Sequence, residues 1–345
     1  AGPRYRYTLQ FLLHLAEPIR LEVANGRKPL VALHFGWAFD EAGRKIAGIS
    51  DNGDPLDALI LSLPPSIETD LSLADALRSE RDLGRDTVVL RLRSEWKLPN
   101  LPETDALRLL WEKWSRLPAQ YLSTNGLHTL AALMRERNAL PEWFDDWRKA
   151  DKLMWQDQVH KAHSARNRRT TYYRQVALDL ARRYETLVLE LPNLQQATEK
   201  VNPNTGERAE FSSSVRAGRA IAALHSLEAA IHWAACKCGS AVLHLKGEAT
   251  VTVCAICGST AIAPMLPKGQ ILHCPDCDST VERKANGAAN AWKLAQADRE
   301  RLVTEYWETV LRKRHEIVQR KAQKTSNLTR ARKASAARNA KERAP

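Results

Sequence analysis

Two cysteine pairs constrain this chain more than any other feature. Cys254-Ala-Ile-Cys257 and Cys274-Pro-Asp-Cys277 lie sixteen residues apart. A CxxC turn presents two sulfurs to one side of an ion, and four thiolates suit tetrahedral zinc. Residues 254–280 are therefore expected to fold as a zinc ribbon, with a short hairpin between the pairs. All four coordination positions are taken by protein, so the zinc is expected to be structural. Cys236-Lys-Cys238 lies apart from these pairs. It is expected to hold buried free thiols, with CxC as an alternative source of ligands. The chain opens Ala-Gly-Pro-Arg, with neither an initiator Met nor a charged-then-apolar leader. That opening suggests a mature fragment or the C-terminal part of a longer polypeptide, and clustered CxxC pairs without a secretory leader favour metal over disulfides.

Charge is distributed very unevenly. Residues 312–345 hold 12 of the 52 Lys/Arg but only 2 of the 40 Asp/Glu, leaving 40 basic and 38 acidic groups elsewhere. The body is nearly neutral and the tail is a polycation, the composition of a phosphate-binding arm or of a solvated tail. Of the 345 residues, 44% are hydrophobic and 27% charged, which excludes wholesale disorder. No run of eighteen apolar residues occurs, so no membrane partner is expected.

Along the chain, residues 5–24 read as two strands. "PLVALHFGWAFDEAGRKIAGI" (29–49) reads as a hairpin that opens a sheet. A Pro- and Asp-rich excursion follows, and then "TVVLRLR" (87–93) is expected to be a strand. Residues 104–160 have helical spacing and hold Trp111, Trp114, Trp143, Trp147 and Trp155, expected to be mostly core. A basic helix over 163–183 carries Arg166, Arg168 and Arg169 and feeds the apolar run "ETLVLELPNL". A helix is expected over about 214–235, then the strand "SAVLHL", the ribbon, and a last helix grading into the basic tail. Helices alternating with apolar strands indicate a mixed α/β fold.

In this order the motifs resemble the RuvC-like nuclease half of TnpB proteins and of type V CRISPR effectors. That family inserts a zinc ribbon just before its last active-site motif, approximately Arg-Asp-x-Asn-[Ala/Gly]-Ala, whose Asp follows the last ribbon cysteine by seven residues. Here Arg283, Asn286, Gly287, Ala288 and Asn290 match, while Lys284 stands in the Asp position. The family's middle motif is a glutamate ending a strand, matched by Glu190; its first is Asp-x-Gly leading into a hairpin, where this chain has His34, Phe35 and Gly36. The resemblance implies an RNase H-like (RuvC) mixed sheet with flanking helices, a helical insertion and the inserted ribbon. Its expected parts are 1–28, the end of an N-terminal wedge-like β domain; 29–253, the RuvC-like domain with its insertion at about 104–160; 254–280, the ribbon; 281–311, the last motif and helix; and 312–345, the basic tail.

RuvC-type chemistry holds two divalent ions roughly 4 Å apart between carboxylates. Mg²⁺ requires hard oxygen ligands in near-ideal geometry. His34 offers a nitrogen, and Lys284 would set an ammonium where a dication should bind, so neither Mg²⁺ nor Mn²⁺ is expected. Lys284 is expected to pair with Glu190 instead. The resemblance then implies a nuclease-deficient, RNA-guided DNA-binding effector, or its C-terminal RuvC portion, acting by occupying its target in a prokaryotic cytoplasm. Its partners would be guide RNA and target DNA, with N-terminal recognition domains on the same or a companion chain. Arg166, Arg168, Arg169, Arg283, Arg312, Lys313 and Arg314 are the candidate nucleic-acid contacts. The alternatives are an active metal-dependent RuvC-type endonuclease with atypical ligands, and a zinc-ribbon scaffold that contacts only protein.

Overall fold

The long apolar run before His34 and the one before Glu190 form neighbouring parallel strands in the middle of a sheet. In the computed structural model these are β1 (Lys28–Asp40) and β4 (Tyr184–Glu190). Residues 26–40, 43–192, 213–245, 250–265, 270–313, 315–317, 319–320 and 323 are described. Strands β2 (Gly43–Ser50), β3 (Leu59–Ser62) and β5 (Ala241–Leu245) complete a five-stranded mixed sheet of order β3-β2-β1-β4-β5. β4 pairs parallel with both β1 and β5, whereas β2 and β3 are antiparallel. Leu30–Leu33 and Leu187–Leu189 are fully buried, the near-continuous apolar pattern of strands covered on both faces. The expected α/β mixed sheet is thus present.

Helices α5 (Ser213–Ala222) and α6 (Leu224–Cys238) supply the crossover that a parallel β4–β5 connection requires. The single helix expected over 214–235 is two, parted at Ala223, which adopts φ 44°. After the ribbon, α7 (Arg283–Ala297) lies on the sheet. Its Ala291 and Ala295 pack with Leu30, Ala32, Val188 and Leu243, and Trp292, Leu302, Val303 and Tyr306 border that cluster.

The chain divides into two units, and the second comprises Asp40–Arg44 and Leu63–Tyr172. It contains α1 (Pro65–Glu95), α2 (Ala106–Ser115), α3 (Thr124–Glu136) and most of α4 (Glu142–Arg183), whose residues from Tyr173 onward belong to the sheet unit. Its core joins Val88, Val89, Leu92, Leu107, Leu127, Leu130, Met134 and Phe144, bordered by Trp111, Trp114, Trp143 and Trp147. Trp155, by contrast, is exposed. Asp105 and Ser123 cap α2 and α3 by accepting from the Leu107 and Gly126 amides.

Two expectations require correction here. Residues 87–93 are not a strand but the end of α1. Strand alternation would put Val88, Leu90 and Leu92 on one face. The buried set is Val88, Val89 and Leu92, while Leu90 is 62% exposed, which is a helical stripe. Packing against α2 and α3 overrides the β-preference of Thr-Val-Val. The helical insertion is also longer than 104–160. It begins with α1, and the basic helix of 163–183 is the end of a 42-residue helix. Residues 5–24 and 324–345 lie outside the described residues, and with them most of the expected wedge-like segment and the basic tail.

Candidate functional site

Register builds this site. His34 on β1 is the pairing partner of Glu190, the last residue of β4, and Glu190 also pairs with Leu245 of β5. In parallel strands, register partners project from the same face, so the imidazole meets the carboxylate: His34 Nδ1 lies 2.8 Å from Glu190 Oε2. Glu190 is 5% exposed. The hydroxyl of Thr250, itself buried, donates to the carboxylate at 2.6 Å from both oxygens. Thr250 precedes the first ribbon cysteine by four residues, and nothing in the sequence distinguishes it from the nearby Thr252.

α7 closes the site from above the strand ends. Glu282 caps it, with its carboxylate accepting from the amides of Lys284 at 2.6 Å and Ala285 at 3.0 Å. One oxygen of this carboxylate, two residues from the position where the family carries its Asp, is committed to the helix terminus, while the other lies 3.9 Å from Lys45 Nζ. Lys284 follows in the first turn and is 6% exposed, with its Nζ 3.6 Å from where a Cβ on Gly36 would stand. One turn on, Gly287 makes room for the imidazole: a Cβ there would come within 2.6 Å of His34 Cγ. Buried Asn286 accepts from the Ala255 amide at 2.8 Å and donates to the Val253 carbonyl at 2.8 Å. Asn290 donates to the Thr250 carbonyl at 2.6 Å, and Lys293 to that of Ala255. One face of α7 thereby clasps the segment that carries both Thr250 and Cys254.

His34 and Glu190 are thus brought together, and Lys284 is buried beside Gly36, two residues along β1 from His34. The side chains present are an imidazole, one carboxylate with both oxygens already hydrogen-bonded, and a buried lysine. That set does not fit two divalent ions, which require several anionic oxygens. Among the described residues, Glu190 belongs to no group of three His, Cys, Asp or Glu side chains with ligand atoms within 4.8 Å of one another.

The four ribbon cysteines do form such a group. Cys254 and Cys277 sulfurs are 3.7 Å apart, and those of Cys257 and Cys274 3.6 Å. Tetrahedral zinc at about 2.3 Å from each sulfur would set them about 3.8 Å apart, so the four fit a metal such as zinc. Burial disfavours the Cys254 thiolate, but the Cys257 and Ile256 amides and Ser279 outweigh it and bring the thiol to about 6. At Cys257 the Ser259 amide favours the thiolate, yet burial and the neighbouring sulfurs push the thiol up to about 12. Four sulfurs at this spacing need a cation before all can ionise. The ribbon's sheet is β6 (Ala263–Pro264), β7 (Ile271–Cys274) and β8 (Ser279–Glu282). Of the CxC pair, Cys238 is buried as expected but Cys236 is exposed. Neither joins a metal-competent group among the described residues.

The candidate nucleic-acid residues are scattered. Arg166 is exposed and Arg169 half-buried on α4, while Arg168 pairs with Asp70 of α1. Arg283 opens α7; Arg312 and Lys313 are exposed on the helix over 299–313, and Arg314 lies outside the described residues.

No family model matches the chain. A CRISPR-associated DNA-binding protein Cas12m of Allomeiothermus silvanus is 28% identical over 303 residues, 85% of this chain and 53% of that protein. The chain is homologous to Cas12m. A second Cas12m, from Thermanaerosceptrum fracticalcis, is 25% identical over 302 residues, 86% of this chain and 49% of its own length. The chain spans about half the length of these Cas12m relatives. Among solved structures, CasPhi-2 (Cas12j) bound to crRNA covers 77% of this chain and 48% of its own at 16% identity and a TM-score of 0.33. Alicyclobacillus acidoterrestris C2c1 with single-guide RNA covers 79% and 39% at 10% identity and a TM-score of 0.34. Likenesses so slight carry no argument. No helix among the described residues is long and apolar enough to cross a membrane.

Proposed function

We propose that this chain is the RuvC-like portion of an RNA-guided DNA-binding effector that holds its target without cutting it. One observation carries the reading: the strand ends where divalent ions would be gripped hold His34, a doubly hydrogen-bonded Glu190 and the buried Lys284. A buried carboxylate without its partners would cost several kcal/mol, and the imidazole and the hydroxyl answer Glu190 in place of metal. That the Cas12m relatives are DNA-binding proteins supports the same reading. In this account guide RNA supplies sequence recognition, while the protein grips backbone shape. Arg166, Arg169, Arg283, Arg312, Lys313 and the basic tail supply phosphate contacts, and recognition domains outside 1–345 complete the effector in a bacterial cytoplasm. Zinc occupies the four-cysteine site as a scaffold.

The test is to purify the full chain with its co-purifying RNA, sequence that RNA, and present matched duplex DNA in Mg²⁺ and in Mn²⁺. The expected result is salt-dependent binding with intact strands. Divalent-dependent scission that disappears in Glu190→Ala would overturn the reading, as would an absence of nucleic-acid affinity.

A further inference from the structure

A second group of ligating side chains lies on the sheet unit, away from the ribbon and away from Glu190. Glu228 and His232 stand one turn apart on α6, so both project from the same face. His244 comes from β5, the strand at the sheet's edge. The His232 and His244 Nε2 atoms approach to 3.0 Å, with the two rings inclined by 16°. One ligand atom from each of the three residues lies within 4.8 Å of the others. His225, one turn before Glu228, bonds the far oxygen of that carboxylate at 3.1 Å and so orients it.

We propose that Glu228, His232 and His244 form a surface site for a divalent transition metal of the zinc class. Two imidazole nitrogens and a carboxylate oxygen suit borderline ions such as Zn²⁺ and not Mg²⁺, which prefers an all-oxygen shell. Tetrahedral zinc at about 2.0–2.1 Å from each nitrogen would set the two Nε2 atoms about 3.3–3.4 Å apart, so a few tenths of an ångström of movement admits the ion. The imidazoles must be neutral to bind it.

The connection between the two elements is short and fixed. α6 ends at Gly239, whose φ of 69° is the left-handed cap glycine favours, and Ser240 donates to the Ala181 and Tyr184 carbonyls at 3.1 Å. The three ligands are therefore held close before any ion arrives. Three protein ligands leave a fourth position for water. A bound ion ties the end of β5 to α6, and β5 at that end carries Leu245, the register partner of Glu190.

The test uses the full chain without a histidine tag, stripped by chelator and kept reduced, then titrated with Zn²⁺ by calorimetry and with Co²⁺ by absorption. Wild type is expected to take two equivalents: a first giving the intense bands of cobalt thiolates, and a second giving only weak ligand-field bands. His244→Ala and His232→Gln, both at exposed side chains, are expected to keep the first event and lose the second. The thiolate bands report that each variant is folded. A single equivalent in wild type, or a second equivalent that survives in both variants, would overturn the proposal.

Discussion

The fit of His34 against Gly287 gives the sharpest test of how this site is built. In wild type, Gly287→Ala drives a methyl to within 2.6 Å of Cγ, 2.7 Å of Nδ1 and 2.8 Å of Cδ2 of the imidazole. Those atoms sit near the root of a side chain held by Glu190, so the ring cannot swing aside without losing that bond. Overpacking of this kind costs about 1–3 kcal/mol. In a His34→Ala background those three atoms are gone, and the helix propensity that favours alanine by about 0.8–1 kcal/mol acts with and without the imidazole. That preference cancels between the two backgrounds, which should therefore differ by the overpacking cost alone, about 1–3 kcal/mol, beyond the ~0.5 kcal/mol scatter expected for independent sites. Hydrogen exchange of β1 and β4 peptides across a urea series would measure the cycle for the sheet unit alone. If Gly287→Ala costs the same with and without His34, the claim that glycine makes room for the imidazole is wrong.

Three further outcomes follow from individual buried contacts. Thr250→Val removes a donor from the buried Glu190 and should cost about 1–3 kcal/mol in β4 protection, whereas Thr250→Ser should recover most of it. Asp151, 1% exposed, takes Arg81 Nε at 2.8 Å and His128 Nε2 at 2.8 Å, so Asp151→Ala should destabilise the helical unit by about 3–5 kcal/mol, read as exchange in α1 and α3. Burial and a hydrogen bond to Asp51 raise the Tyr184 phenol well above 10.0, so its contribution is full below that pH and is lost as pH climbs further. Burial opposes ionisation of Asp51, but Lys28 and Tyr184 prevail and lower it from 3.8, so its contribution is lost as pH falls through the lowered value. Tyr184→Phe should weaken the alkaline loss, seen in urea midpoints at about pH 8 and about pH 11.5, and an unchanged profile would refute the pairing.

What could be read from residues alone followed the range of the interaction. β1, β4 and the cysteine pairs announce themselves within a dozen residues, through apolar runs ending in polar groups and through CxxC turns. Residues 87–93 misled because Thr87-Val88-Val89 favours a strand locally, while α2 and α3, distant in sequence, decide the matter. Thr250 carried no local mark, since its partner lies 60 residues away and is reached through β5. Gly287 was visible as part of a motif, but its purpose depends on an imidazole 253 positions earlier. The Glu228–His232 spacing is readable on a helix, yet His244 joins only because a tight turn folds β5 back along it.

The clasp that α7 places on residues 250–255 has an evolutionary consequence. Four residues of chain connect the hydroxyl that quiets Glu190 to the first sulfur of the ribbon, and the same asparagines hold both ends. A lineage that discarded the finger to shrink the protein would also strip the lid from a buried acid. The ribbon and the Glu190 pocket are therefore expected to be inherited together or lost together.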